Sequence, residues 1–170
     1  MSFNIYIPHN LTFPDYISII QTARAFADGY DLKDSSRLRA TLADTVTADY
    51  SNISRALGCK TYSKEDFIAT FLSPHALGKK DLLTQHLLGQ PYFVDVTADE
   101  IVVEWQQVAG HGKAIRDGEE LSKRTSVTSD GRSYMRQVFG RVDGGWRIKA
   151  LKPSLLFETG DFKEVTKSSL

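Results

Sequence analysis

Cysteine is almost absent from this chain. Cys59 stands alone among 170 residues, so no intramolecular disulfide can form. Such usage fits a reducing setting, and an intracellular, cytoplasmic location is expected, with Cys59 itself a small loop residue. Neither sign of charge is in excess: Lys plus Arg and Asp plus Glu both number 21. A balanced surface sets up no field that draws nucleic acid or anionic lipid, so neither kind of partner is expected. No apolar run approaches the ~20 residues that cross a bilayer, and Met1-Ser2-Phe3-Asn4 has no basic stretch followed by an apolar one. The chain also lacks a cysteine cluster, a glycine-rich phosphate loop, internal repeats and low-complexity segments. Metal modules, phosphate-loop enzymes and disulfide scaffolds are thereby disfavoured. What is present is ordinary globular composition, 41% hydrophobic and 25% charged, in a length that fits one domain over residues 1–170.

The hydrophobic period divides the chain. Thr12, Pro14 and Asp15 form a variant capping box, and Tyr16, Ile19, Ile20, Ala23, Phe26 and Ala27 recur at helical spacing to about Tyr30. Gly29 is expected to loosen the last turn. A short helix fits residues 35–42, a strand residues 45–50, and a third helix begins at Ser63 and stops at Pro74. From Thr84 onward the period becomes two. Short strands are expected over 84–89 and 92–96, separated by Gly-Gln-Pro, and then a longer one from Ile101 toward His111. Gly110 and Gly112 predict a bend or bulge around that histidine. Another long strand lies within 122–142, and Asp143-Gly144-Gly145 is a hairpin turn into a strand over 146–151. Pro153 is expected to end the sheet and residues 157–165 to form a tail. Helices followed by an antiparallel sheet give an α+β fold.

Chemistry concentrates in few residues. His86 and His111 lie in strand-like segments, Tyr30-Asp31 ends the first helix, and Tyr50 closes the first strand. Imidazole titrates near neutrality, and phenols polarise carbonyls as neutral donors, so the set suits proton transfer on an uncharged organic substrate. Plainer roles exist for each: a hydrogen-bonded core histidine, a solvated helix end, tyrosines packed by their rings.

Tyr30-Asp31-Leu32-Lys33-Asp34, Arg37-Leu38-Arg39, Asp49-Tyr50, Thr84-Gln85-His86, His111, Asp143-Gly144-Gly145-Trp146, Leu151-Lys152-Pro153 and Gly160-Asp161-Phe162 occur in an order and spacing that resembles the scytalone dehydratase family. The resemblance runs from about Thr12 to Val165. It implies an NTF2-like (nuclear-transport-factor-2-like) cone-shaped barrel in which N-terminal helices close a curved, mostly antiparallel sheet. It also implies a homotrimer, no metal or organic cofactor, and loss of water from a small-molecule hydroxylated naphthalenone of melanin synthesis. By the same resemblance, His86 moves the proton beside the ketone. Asp31 and His111 form a couple that assists the departing hydroxyl, Tyr30 and Tyr50 hold a water against the carbonyl, and Ser133 contacts the substrate.

Departures from the family pattern fall on the pocket wall. Met135 replaces an asparagine that bonds the ligand, Ile53 a phenylalanine and Ala109 a valine, while Pro153, Leu155 and Phe162 keep their character. A thioether removes polar recognition, and two smaller side chains widen the pocket. The short segment after Val165 predicts an incomplete lid. These residues favour a dehydratase acting on a β-hydroxy ketone in a polyketide intermediate other than the melanin naphthalenone. Isomerisation or cyclisation with the same residues, and a non-catalytic ligand-binding module of the same fold, remain alternatives.

Overall fold

The computed structural model describes residues 4–118 and 120–167. Helix α1 (Phe13–Asp31) starts where the Thr12 hydroxyl accepts the Asp15 N–H, with Pro14 in the first turn, where no backbone donor is needed. Its buried stripe is Ile19, Ala23, Phe26, Ala27 and Tyr30. Asp34 caps α2 (Ser35–Thr41) by accepting the N–H groups of Ser36 and Arg37. Strands β1 (Leu42–Asp49) and β2 (Cys59–Ser63) follow, and Ser63 caps α3 (Lys64–Phe71), which buries Phe67, Ile68 and Phe71. Four long strands then run as β3 (Leu82–Val96), β4 (Glu100–Asp117), β5 (Glu120–Val142) and β6 (Gly145–Gly160), before a final helix α4 (Phe162–Thr166).

The strands form one open, curved sheet in the order β2-β1-β6-β5-β4-β3. Only β1 and β6 run parallel; every other neighbouring pair is antiparallel. The fold is α+β with helices on one face of a curved sheet, as expected, but its sheet does not close into a barrel. The helices cover the concave face. There Trp146, Phe139, Ile148, Leu151 and Ile101 of the sheet meet Ile19, Leu38 and Phe67 of the helices, and all are buried to within 2% of full enclosure. One polar cluster fixes how α1 crosses the sheet. Trp146 Nε1 donates to Asp15 Oδ1 at 2.8 Å, Arg141 Nη2 donates to the same oxygen at 3.2 Å, and the guanidinium lies 4.3 Å above the indole ring. Among the described residues, no helix is long and apolar enough to cross a membrane.

Several elements differ from the sequence reading, each for a local reason. The two short strands over 84–96 are one strand, β3, whose register shifts between Leu88 and Pro91. As β3 is an edge strand, a proline there removes no needed ladder bond. Pro153 does not end the sheet: β6 continues to Gly160, and Pro153 pairs with Met135 beyond Leu151, the last β6 residue in register with β1. Its missing N–H therefore faces no strand on that side. Strand β2 was invisible because it is exposed and only weakly patterned; its pairing with β1 puts Cys59 opposite Asp49 in a strand, not a loop. No bend occurs at Gly110-His111-Gly112, whose register is regular against both β3 and β5. Gly112 instead gives room to Thr125, whose Cγ2 would lie 2.4 Å from an added Cβ. The expected tail ends in α4, capped by Asp161, whose carboxylate accepts the N–H groups of Lys163 and Glu164.

Gly29 likewise serves close packing, not helix termination. A Cβ there would stand 2.6 Å from Leu38 Cδ2 and 2.8 Å from Leu38 Cγ, and Leu38 is fully buried. Alanine gains about 1 kcal/mol of helix propensity, while overpacking a tight contact costs about 1–3 kcal/mol. Gly29→Ala is therefore expected to lower the unfolding free energy by about 1 kcal/mol in urea titrations. An unchanged or raised midpoint would mean that α2 yields without strain.

Candidate active site

Between the helices and the concave face lies a cavity of about 420 Å³. The antiparallel register brings its polar residues together. His86 on β3 is level with Ala109, while Thr84, one row away, is level with His111 on β4 and then Ser129 on β5. Both imidazoles consequently face the cavity, with ring centroids 5.8 Å apart and planes perpendicular. The last turn of α1 supplies two successive residues: Tyr30 points into the core and Asp31 lies against β3.

Asp31 engages His86 twice. Its Oδ1 is 2.7 Å from His86 Nδ1, and its Oδ2 accepts the His86 backbone N–H at 2.8 Å. The sequence reading paired Asp31 with His111; the structure corrects this. The C-terminal end of α1 packs on β3, whereas His111 belongs to the next strand inward, and both carboxylate oxygens are already committed to His86. Burial opposes ionisation of Asp31, but the His86 ring and backbone N–H outweigh it, and the carboxyl sits below its ordinary range. With Nδ1 bonded to a carboxylate, the ring's free nitrogen is Nε2.

Burial sets the state of the other groups. Tyr30 is 4% exposed, its hydroxyl meets no hydrogen-bond partner, and its ring centroid is 5.6 Å from that of His86. Enclosure, with the Tyr50 phenol close by, drives its pKa well above the usual tyrosine value. Tyr50, packed 5.2 Å from the Phe71 ring, is pushed up to about 12 by burial. Both phenols are neutral donors at any physiological pH. Burial first, and His86 second, lower His111 to about 4, although backbone groups of Ser129 and Ala109 pull the other way.

Every residue singled out from the sequence except Asp31 lines this cavity: Tyr30, Tyr50, His86, His111 and Ser133 among the polar ones, and Ile53, Ala109, Met135, Pro153, Leu155 and Phe162 on the wall. Asp31 stands behind His86. The lid is more complete than expected. Phe162 of α4 lies 4.8 Å, centroid to centroid, from the His111 ring, and Val165 is fully buried. Lys79 Nζ donates to the carbonyls of Thr166 and Lys167, and Lys113 Nζ to that of Lys167, which ties the helix end down. The sequence reading missed Ser129, Gln107 and Gln137, which are buried on the same face. The period of two that placed His111 and Ala109 inward also places Gln107 inward, and Gln137 lies two residues after Met135; that signal was present.

The scytalone dehydratase family model matches residues 10–169. A dehydratase of Aspergillus candidus, cfoI, is 45% identical over 168 residues, covering 99% of this chain and 98% of the relative. The scytalone dehydratase arp1 of Aspergillus fumigatus is 28% identical over 162 residues, covering 94% and 92%. Among solved structures, an NTF2-like protein from Streptomyces avermitilis superposes with a TM-score of 0.66 at 16% identity, covering 86% of this chain and 99% of its own.

The depressed value at His111 has a definite consequence for stability. The folded chain keeps this imidazole neutral down to about pH 4, whereas unfolded histidine takes its proton near 6.5. Between these values the unfolded state binds more protons, so this contribution is complete above about 6.5 and is lost on acidification toward about 4. The loss is at most about 3 kcal/mol. Urea unfolding at about pH 7 and about pH 4.5 should therefore show a larger loss for the wild type than for His111→Gln. Equal losses would overturn the neutral assignment.

Proposed function

The chain belongs to the scytalone dehydratase family of hydro-lyases, and on that premise we propose that it removes water from a β-hydroxy ketone in an aromatic or polyketide intermediate, using its own side chains. The observation that carries this reading is the Asp31–His86 pair at the wall of a mostly apolar cavity with two enclosed phenols. His86 Nε2 takes the proton from the carbon next to the ketone, and Asp31 stabilises the imidazolium that forms. Tyr30 and Tyr50 donate to the carbonyl oxygen, where enolate charge develops; having raised pKa values, they donate without surrendering their protons. The C–O bond to the β-hydroxyl then breaks as the double bond forms. His86 returns its proton to the departing hydroxide, which leaves as water.

The role of His111 changes with the pairing of Asp31. As a neutral imidazole against Phe162, it orients the leaving hydroxyl by a hydrogen bond, while Ser133, level with Gln107 on the next strand, contacts the substrate further along the same wall. A cavity of about 420 Å³ suits a bicyclic ketone of the polyketide type, and Met135, Ile53 and Ala109 favour a substrate other than the melanin naphthalenone. A homotrimer is part of the same reading. Its support is the apolar group Leu87, Leu156 and Phe157, each more than half exposed on the outer sheet face beside a second hollow of about 370 Å³.

Incubation with a panel of hydroxylated naphthalenones and related ketones, followed by mass spectrometry for loss of water, tests the reaction. His86→Ala should reduce kcat by about 10²–10⁴-fold while leaving the fold intact. Asp31→Asn is expected to lose about as much, because the amide no longer sets the imidazole tautomer. Tyr50→Phe should cost about 10²-fold in kcat with little change in KM. Normal turnover by His86→Ala would end the assignment.

A further inference from the structure

The inward rows of β4 and β5 continue past the histidines. Gln107 is level with Leu88 and Ser133, one row along from His86, and Gln137 is level with Val103 and Leu151, beyond Met135. Both carboxamides line the cavity, yet Gln107 is 7% exposed and Gln137 1%. Each buries its Oε1 atom without any donor, and the indole N–H of Trp105, in the row between them, is likewise enclosed and unpaired. Buried polar groups are normally satisfied within the protein. Three in adjacent rows, at the end of the cavity away from His111 and Phe162, describe a place where a ligand group completes the bonding.

We propose that Gln107 and Gln137 form a polar subsite that binds a hydroxyl on the substrate ring distal to the reacting carbonyl. The inference rests on the ketone-dehydrating reading of this cavity and adds a specificity element to it. A hydroxyl both donates and accepts, so it matches a carboxamide in either orientation. Successive inward rows lie about 7 Å apart along a strand, so Gln107, one row from His86, stands at about the distance across two fused six-membered rings from a carbonyl to a distal hydroxyl, and Gln137, two rows further, closes that end of the cavity. Met135 contributes only a thioether between them, so beyond Ser133, which is level with Gln107, the two carboxamides supply the hydrogen-bonding groups of this wall. A ligand lacking the hydroxyl leaves these amides unpaired and is disfavoured for that reason.

Equilibrium binding of two non-reacting ketones provides the test: a tetralone bearing a hydroxyl on the ring distal to its carbonyl, and the same tetralone without it. The wild type should bind the hydroxylated compound about tenfold more tightly. Gln107→Leu and Gln137→Met, which keep volume, should each narrow that preference several-fold, and the double variant should remove it, with no weakening toward the unsubstituted ketone. No preference in the wild type, or an undiminished preference in the double variant, overturns the subsite. Turnover of hydroxylated naphthalenones measured alongside separates the two readings. A glutamine-dependent preference without any loss of water would leave the subsite standing and remove the dehydratase assignment. Turnover with glutamine-independent binding would do the reverse.

Discussion

A single carboxylate, Asp31, fixes both the architecture and the chemistry of this cavity. By accepting the His86 main-chain N–H and bonding its ring nitrogen, it joins the C-terminal end of α1 to the edge strand β3 and sets which imidazole nitrogen is free. The placement is unfavourable by itself, since a negative charge at a helix C-terminus opposes the helix dipole. Two hydrogen bonds from one residue offset that penalty, and they do so in partial burial, where each is stronger than in water. Tyr30, one residue earlier, is carried into the core by the same turn. Register of α1 against β3 thus brings imidazole, carboxylate and phenol together.

Burial does the rest. Enclosure keeps Tyr30 and Tyr50 protonated far beyond neutrality and keeps His111 unprotonated well below it. The cavity therefore presents two neutral phenols and a carboxylate-backed imidazole together. The aromatic layer of Phe26, Phe67 and Phe71 and the α4 cap with Phe162 maintain that condition.

Much of this was legible in the sequence, and the illegible parts have physical causes. Helices α1 and α3 declare themselves by caps and apolar stripes, and β4, β5 and the turn at Asp143 by alternation and glycine. Strand β2 carries no such mark, because an exposed edge takes its conformation from its neighbour and not from its own pattern. Pro153 and Pro91 misled because proline's effect depends on whether a partner strand faces its nitrogen, which only the sheet order decides. The residues singled out from the sequence come together in the fold, yet Asp31 bonds His86 and not His111. Proximity of α1 to β3, one strand short of His111, is a tertiary fact with no local signal. Gln107 and Gln137 were overlooked because polar residues on strands are usually read as solvent-facing, although their parity with His111 and Met135 pointed inward.

Strand β4 has a consequence for how such a molecule diversifies. Its inward residues pass from Ile101, Val103 and Trp105 in the core, through Gln107 and Ala109 on the wall, to His111 beside Phe162. On the proposed roles, foundation, selectivity and reactivity are thereby stacked as separate storeys along one extended segment. Exchange of a middle storey can redirect what the cavity accepts without disturbing the floor that supports it or the machinery above.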